Sequence, residues 1–424
     1  MQNVTHLLRA RRFVPLFTTQ ALGAFNDSLF KQAVVLFVTY QLYSDAARET
    51  QFSAVAQGLF ILPFFLLSAT AGQLADIRDK AKLIRIIKAA EIGIMIVGGI
   101  GLAIASVPLM LAAVFAMGVH STFFGPIKYA ILPQHLHKDE VLGGTGLVEA
   151  GTYLSILGGT IAAGALAASP QWAAVACVAI AIIGFFAGRQ VPPAPPHSHA
   201  APPDWHILRA SVTLVNATMH IPRLFLAICA ISFFWTIGAV LIIIFPPLVK
   251  NVLGANEQVA SLFIAIFSIG IAIGSVAINR LLKSKVSARF APGSVLAMGL
   301  FVILLYFVSQ SWATHADGAL ITLGNFLYQP SAALLILTLL GISVTGGMFV
   351  VPLYAFLTTT VEQSQTARTV AANNIVNSGA MVIGSLMALG LSSLGFGPGS
   401  QLLLVAAMCV VSAWLGWKLH LACD

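Results

Sequence analysis

Charge is what this sequence has least of. Asp, Glu, Lys and Arg make up 8% of its 424 residues, against roughly 25% in soluble globular chains. A water-soluble fold of this length is thereby excluded. Acids are scarcer than bases, 14 against 22, for a net charge of +8. A basic excess can mark nucleic-acid binding, but here it is strung between long apolar runs and suits a membrane-orientation signal better. No nucleic-acid partner is expected. Cysteine is nearly absent, and Cys177, Cys229, Cys409 and Cys423 form no close-spaced motif. Neither a disulfide framework nor a thiolate metal site follows, and no cofactor or metal is implied. A cleavable secretion leader is not expected either. Arg9, Arg11 and Arg12 precede an apolar segment too long for a signal core, with no small-residue cleavage site after it.

Apolar residues are what is there: 58% of the chain, with a mean hydropathy of +0.92. A membrane-crossing helix needs about 20 consecutive apolar residues. Twelve such segments are expected near 13–43, 52–75, 83–106, 108–133, 142–168, 172–189, 223–249, 258–281, 290–310, 332–357, 367–393 and 399–420. The fold class is therefore an all-α polytopic membrane protein. Pro63, Pro126, Pro246, Pro247 and Pro352 fall inside segments, where kinks are tolerated and often line a pathway. Gly143-Gly144-Thr145-Gly146 and Gly158-Gly159 are expected to allow close helix approach.

The longest hydrophilic stretch carries Val191-Pro192-Pro193-Ala194-Pro195-Pro196 and Ala201-Pro202-Pro203-Asp204. Proline at that density resists regular helix and reads as a linker. It divides the chain into residues 1–189, a cytoplasmic linker at 190–222, and residues 223–424, with six segments on either side. His197 and His199 read as solvated loop residues. His199 and Asp204 also match an acyltransferase spacing, which the prolines between them make accidental. All but four of the 22 basic residues fall in intervals that a cytoplasmic N-terminus places inside. The four are Arg48 and Lys250 outside, and Lys31 and Lys128 within segments. Both termini are accordingly expected in the cytoplasm.

The halves repeat one another. Gly125-Pro126-Ile127-Lys128-Tyr129-Ala130 aligns with Val351-Pro352-Leu353-Tyr354-Ala355, and Leu147-Val148-Glu149-Ala150-Gly151 with Ile375-Val376-Asn377-Ser378-Gly379. A parallel six-plus-six repeat resembles the major facilitator fold, whose site lies between the halves. Gly72-Gln73-Leu74-Ala75-Asp76-Ile77-Arg78 resembles that superfamily's signature between the second and third helices. Gly72, Asp76 and Arg78 are thus expected to act as a conformational latch. The repeat is asymmetric in charge, because Lys128 and Glu149 face Tyr354 and Asn377 as counterparts.

Ionisable residues inside the segments are few. Asp27 and Lys31 stand one helical turn apart in the first, Lys128 in the fourth and Glu149 in the fifth. Each ionised group at mid-membrane costs roughly 2.5–3.5 kcal/mol on insertion scales, so such residues face a bundle interior or a wet cavity. Their charges sum to zero, which a purely structural network would also satisfy. Lys128 two residues after Pro126 favours a transport cavity, since structure alone would place an apolar residue there. Asn26, Ser28, Tyr129, Asn373, Asn374 and Asn377 add neutral hydrogen-bonding groups. Glu91, near Lys88 and Arg85, is expected in a cytoplasmic charge cluster. The seventh segment, with Phe233-Phe234-Trp235 and Leu241-Ile242-Ile243-Ile244-Phe245, is expected to be largely lipid-facing. Lysines that take a phosphate as point charges, beside acids that take an ammonium, suit a zwitterionic headgroup.

Arg11-Arg12-Phe13-Val14-Pro15-Leu16-Phe17, Gly23-Ala24-Phe25-Asn26-Asp27, Gly125-Pro126-Ile127-Lys128-Tyr129-Ala130-Ile131-Leu132-Pro133 and Gly146-Leu147-Val148-Glu149-Ala150 resemble bacterial lysophospholipid transporters of the major facilitator superfamily. The likeness extends to the membrane domain that some bacteria fuse to an acyltransferase and an acyl-carrier-protein synthetase. It implies a flippase in the bacterial inner membrane that moves lysophosphatidylethanolamine-like lipids by alternating access. A lysophospholipid substrate, surrounding membrane lipids, a partner acyltransferase or acyl-ACP synthetase, and a monomer are the corresponding expectations. Ser28 departs from a second asparagine frequent in that family, and no base stands near Ile242. With no acyltransferase domain after Asp424, the chain is not expected to be an enzyme. Two other functions fit the composition: a proton-coupled exporter of small amphiphiles or drugs, and a non-transporting scaffold for an acyltransferase. A scaffold would not need a charged interior.

Overall fold

The computed structural model describes residues 4–137, 140–196, 206–282, 287–312, 320–359 and 363–423; His197, His199 and Asp204 lie outside them. Among the described residues twelve long helices carry the architecture: α1 Val14–Phe37, α2 Ala46–Ile77, α3 Lys80–Ala103, α4 Val107–Ala130, α5 Val141–Leu166, α6 Pro170–Arg189, α7 Pro222–Asn251, α8 Glu257–Leu281, α9 Ala291–Gln310, α10 Pro330–Thr359, α11 Gln363–Ser393 and α12 Pro398–Cys423. All but α5 contain a stretch long and apolar enough to cross a membrane. Among the described residues the only β pairing is an isolated bridge between Ala255 and Ile321.

Local chemistry explains where the helices begin and end. Asp79 caps α3 by accepting from the Lys82 amide, and Asn256 caps α8 by accepting from Val259. Proline opens α4, α6, α7 and α9, where its missing N–H has no helical acceptor to lose. Gly254 follows α7 and Gly395 follows α11 with φ of 60° and 86°, a conformation that favours glycine. The segment expected to run to residue 133 stops at Ala130, and a one-turn helix, Leu132–His135, follows it. A π-helical turn at Val38–Leu42 prolongs α1.

The chain forms two compact units, Met1–Phe37 with Leu66–Ala210, and Val38–Phe65 with Ser211–Asp424. In the first unit α1 packs along α5 and α6, and α3 along α6 and α4. A side-chain carbon on Gly159 of α5 would overlap the Phe25 carbonyl of α1, so glycine there sets the spacing of these helices. One apolar cluster joins Phe13, Leu16, Ile84, Ile127 and Val148 to Val191 and Ala194. The start of the proline-dense stretch is therefore docked rather than loose, and the Ala194 carbonyl accepts from the Lys80 amide at 2.9 Å. Farther along that hydrophilic stretch, Ile207–Met219 forms a short amphipathic helix.

In the second unit α7 packs between α11 and α12, α8 lies along α10, and α9 along α10 and α12. The expectation of a lipid-facing seventh segment is overturned. Ile231, Phe234, Ile237, Val240, Leu241, Ile243, Ile244 and Phe245 are all buried, because α7 is enclosed by other helices of its own unit. Lys250 at its end binds Glu49 and the Tyr43 carbonyl, and the Ser392 hydroxyl donates to the Ala47 carbonyl at 2.8 Å. The beginning of α2 is thereby tied to α7 and α11.

Candidate functional site

The first unit holds a chain of polar side chains that begins at the substrate residues expected from sequence. Asp27 lies on α1, and its Oδ2 accepts from the Ser121 hydroxyl of α4. The other carboxylate oxygen, Oδ1, is buried without a hydrogen-bond donor. A buried carboxylate oxygen in that state is costly unless a ligand or partner meets it. Lys31, one turn along α1, interacts electrostatically with Asp27, as helical spacing predicts. Lys128 interacts with both Glu149 and Asp27, and its Nζ lies 4.9 Å from the centre of the Tyr129 ring, within cation–π range. The Tyr129 hydroxyl donates to Glu149. Asp27, Lys31, Lys128, Tyr129 and Glu149 are thus brought into one electrostatic neighbourhood across α1, α4 and α5. Gln20 links two of these helices, donating to the Val148 carbonyl and accepting from Thr152 at 2.7 Å.

Asn26 points elsewhere, into a second and deeper cluster. Its amide donates to Glu91 Oε1 at 2.8 Å. Glu91 Oε2 pairs with Lys88 and lies 3.2 Å from His120 Nε2. Lys88 and Glu91 side chains are each 1% exposed, so the expected cytoplasmic charge cluster is not where these two residues sit. The cause is packing. Side-chain carbons on Gly184 or Gly188 of α6 would meet the Lys88 chain, and one on Gly23 of α1 would approach its ammonium. Three glycines thus make room for an inward lysine. His120 also walls a crevice of about 440 Å³, otherwise apolar, bounded by Leu74 of α2, Ile87 and Ile94 of α3, and Phe115 and Phe123 of α4.

The second unit carries a neutral set. Asn377 of α11 accepts from Ser232 of α7 at 2.7 Å and is 3.4 Å from the Tyr354 hydroxyl of α10. Trp235 donates to that same hydroxyl at 2.8 Å. Asn373 is buried, whereas Asn374 is exposed. Tyr354 and Asn377, the repeat counterparts of Lys128 and Glu149, thus form a neutral pair where the first unit carries charge. Gly72 lies in the last turns of α2, and Asp76 and Arg78 are exposed at and just beyond its end.

The profile of the Major Facilitator Superfamily matches residues 16–385. The chain belongs to that superfamily. Curated relatives include "Lysophospholipid transporter LplT" of Serratia proteamaculans, 27% identical over 91% of this chain and 89% of that protein. The protein of the same name from Citrobacter koseri is 26% identical over 96% of each. Among solved structures, an autoinhibited POT-family peptide transporter superposes with a TM-score of 0.71 at 12% identity, covering 98% of each chain. A D-xylose–proton symporter gives 0.69 at 12% identity over 96% of this chain and 97% of that one. At such identities the structures establish the fold alone.

Within this major facilitator fold the candidates expected from sequence that come together are Asp27, Lys31, Lys128, Tyr129 and Glu149, while Ser121, His120 and the inward course of Lys88 and Glu91 were not expected. A signal was present for the last two. Lys88 and Glu91 are three residues apart at the start of a long apolar run, the spacing of a helical ion pair. His120 gave only the weak signal of a lone imidazole in an apolar helix.

Proposed function

We propose that this major facilitator protein moves lysophospholipids, of the lysophosphatidylethanolamine class, across the bacterial inner membrane. The observation that carries the reading is the composition of the first unit's site. Lys31 and Lys128 offer two cations for a phosphodiester, while Asp27 presents a buried carboxylate oxygen that lacks a donor. An ammonium supplies that donor. Moving such a headgroup through hydrocarbon unaided requires its charges to be desolvated, and a preformed set of opposite charges lowers that barrier. The matched relatives named as lysophospholipid transporters support the same assignment across nearly the whole chain.

The headgroup roles follow from charge. Asp27 and Glu149 receive the ammonium, Lys31 and Lys128 the phosphate, and Tyr129 adds a neutral hydrogen-bonding group beside them, whereas Asn26 serves the deeper cluster and Asn374 and Asn377 belong to the second unit. Gly72, Asp76 and Arg78 act as the latch that changes partners during transport. Both termini lie in the cytoplasm, in accord with the basic-residue bias. The protein works as a monomer, without catalysing a covalent step, and delivers lysolipid to a reacylating enzyme on the cytoplasmic side. The test is transport of labelled lipids in proteoliposomes containing this protein alone. Lysophosphatidylethanolamine should cross faster than its two-chain parent, whose second chain adds bulk at the helix gap. Equal rates for the two would refute the reading.

A further inference from the structure

His120 joins the deep cluster to the substrate site. Its Nε2 lies 3.2 Å from Glu91 Oε2 and its Nδ1 3.4 Å from the Ser121 hydroxyl, which in turn donates to Asp27. A continuous polar line therefore runs Lys88–Glu91–His120–Ser121–Asp27 across α3, α4 and α1. Lys88 and Glu91 neutralise one another, which leaves Asp27 and the imidazole to set the charge of the line. Histidine is the side chain whose ordinary titration falls between pH 5 and 8. The charged and titratable groups around it are few. Among the described residues, Glu91 on α3 and Asp27 on α1 act on it directly; Lys88 and Cys177 act on Glu91, Lys31 and Lys128 act on Asp27, and Glu149 acts on Lys128.

We propose that His120 is a specificity-determining residue that sets, through Ser121 and Asp27, which headgroup charge the site prefers. With His120 neutral, the Asp27 carboxylate is free to balance a substrate ammonium. With His120 protonated, a cation already stands behind Asp27, and the site favours a headgroup that carries phosphate without an amine. The inference rests on the lysolipid reading and adds to it a discrimination controlled by one imidazole outside the headgroup set.

The experiment measures the ratio of lysophosphatidylethanolamine to lysophosphatidylglycerol transport in proteoliposomes at pH 8 and pH 5.5. A ratio cancels differences in expression and in folded fraction. Both phosphodiesters stay ionised across this range and the amine stays protonated, so any shift originates in the protein. A unit charge added on the far side of Asp27, about 10 Å from a bound ammonium, should lower the ratio roughly tenfold on acidification at an effective dielectric of about 20. His120→Asn and His120→Gln should each abolish the shift. Ser121→Ala, which leaves Lys88, Glu91 and His120 in place, should diminish it. A wild-type ratio that does not move with pH, or the same shift in the His120 variants, overturns this inference while leaving lysolipid transport standing. Failure of both lipids to cross at either pH overturns the underlying reading instead.

Discussion

Replacing Glu91 by leucine removes the centre of the deep cluster and should destabilise the protein severely. Three groups lose their partner: the Lys88 ammonium, the Asn26 amide at 2.8 Å and the His120 imidazole at 3.2 Å. An uncompensated buried charge costs about 3–5 kcal/mol, and each orphaned neutral donor adds about 1–3 kcal/mol. Lys88 cannot swing to the membrane surface cheaply, because its chain runs past Gly184 and Gly188 of α6. The expected loss for Glu91→Leu is therefore at least about 3 kcal/mol. Adding Lys88→Met removes the stranded charge and should recover most of it, since apolar replacement of a buried pair is often neutral or better. The Asn26 amide and His120 Nε2 still lack their acceptor, so recovery should be incomplete, by about 1–3 kcal/mol for each of them. Detergent-solubilised protein titrated with denaturant, followed by tryptophan fluorescence and monodispersity, gives the double-mutant cycle. A Glu91→Leu protein within about 0.5 kcal/mol of wild type, the range of inconsequential surface changes, would refute the reasoning. So would a double variant no more stable than the single.

Four further outcomes are expected. Gly159→Ala should lower stability by about 1–3 kcal/mol, as overpacking does, because the new carbon meets the Phe25 backbone. Gly72→Ala, inside α2 where a side-chain carbon meets nothing within 4 Å, should raise stability by about 0.5–1 kcal/mol in the same denaturation assay. Lys128→Ala should impair lysolipid transport far more than Tyr354→Ala, with folding checked in parallel, because only the first removes a charge from the headgroup set. At the entry to α5, bonds from His6, then from the His137 amide, and the charge of Arg12 hold the Glu140 carboxyl below its ordinary value of 4.5. A lowered carboxyl pKa contributes stability that is present above 4.5 and lost as pH falls through the lowered value. Acidification below 4.5 should therefore loosen the N-terminal segment in limited proteolysis, and Glu140→Gln should remove that pH dependence.

The fold was legible in the sequence because a membrane imposes one strong rule, the apolar length of each spanning helix. The internal repeat was legible for a different reason, since Pro126 and Pro352 mark the same irregular point on paired helices. Within the site, Asp27, Lys31, Lys128 and Glu149 could be found because ionised residues stand out against apolar neighbours. Glu91 stood out too, but Arg85 and Lys88 beside it suggested a helix end facing water. Only the tertiary arrangement shows that three glycines on two other helices admit Lys88 inward. The burial of α7 was illegible for a related reason. A segment that is apolar on all sides looks the same whether lipid or protein surrounds it.

The central claim is that a charged site in the first unit carries a lysolipid headgroup across the bilayer. The most direct measurement is the appearance of labelled lysophosphatidylethanolamine in the inner leaflet of sealed proteoliposomes, comparing wild type with a well-folded Asp27→Asn variant. Wild type should show protein-dependent movement that the variant loses. Movement no faster than in protein-free vesicles, or undiminished movement by Asp27→Asn, would contradict it.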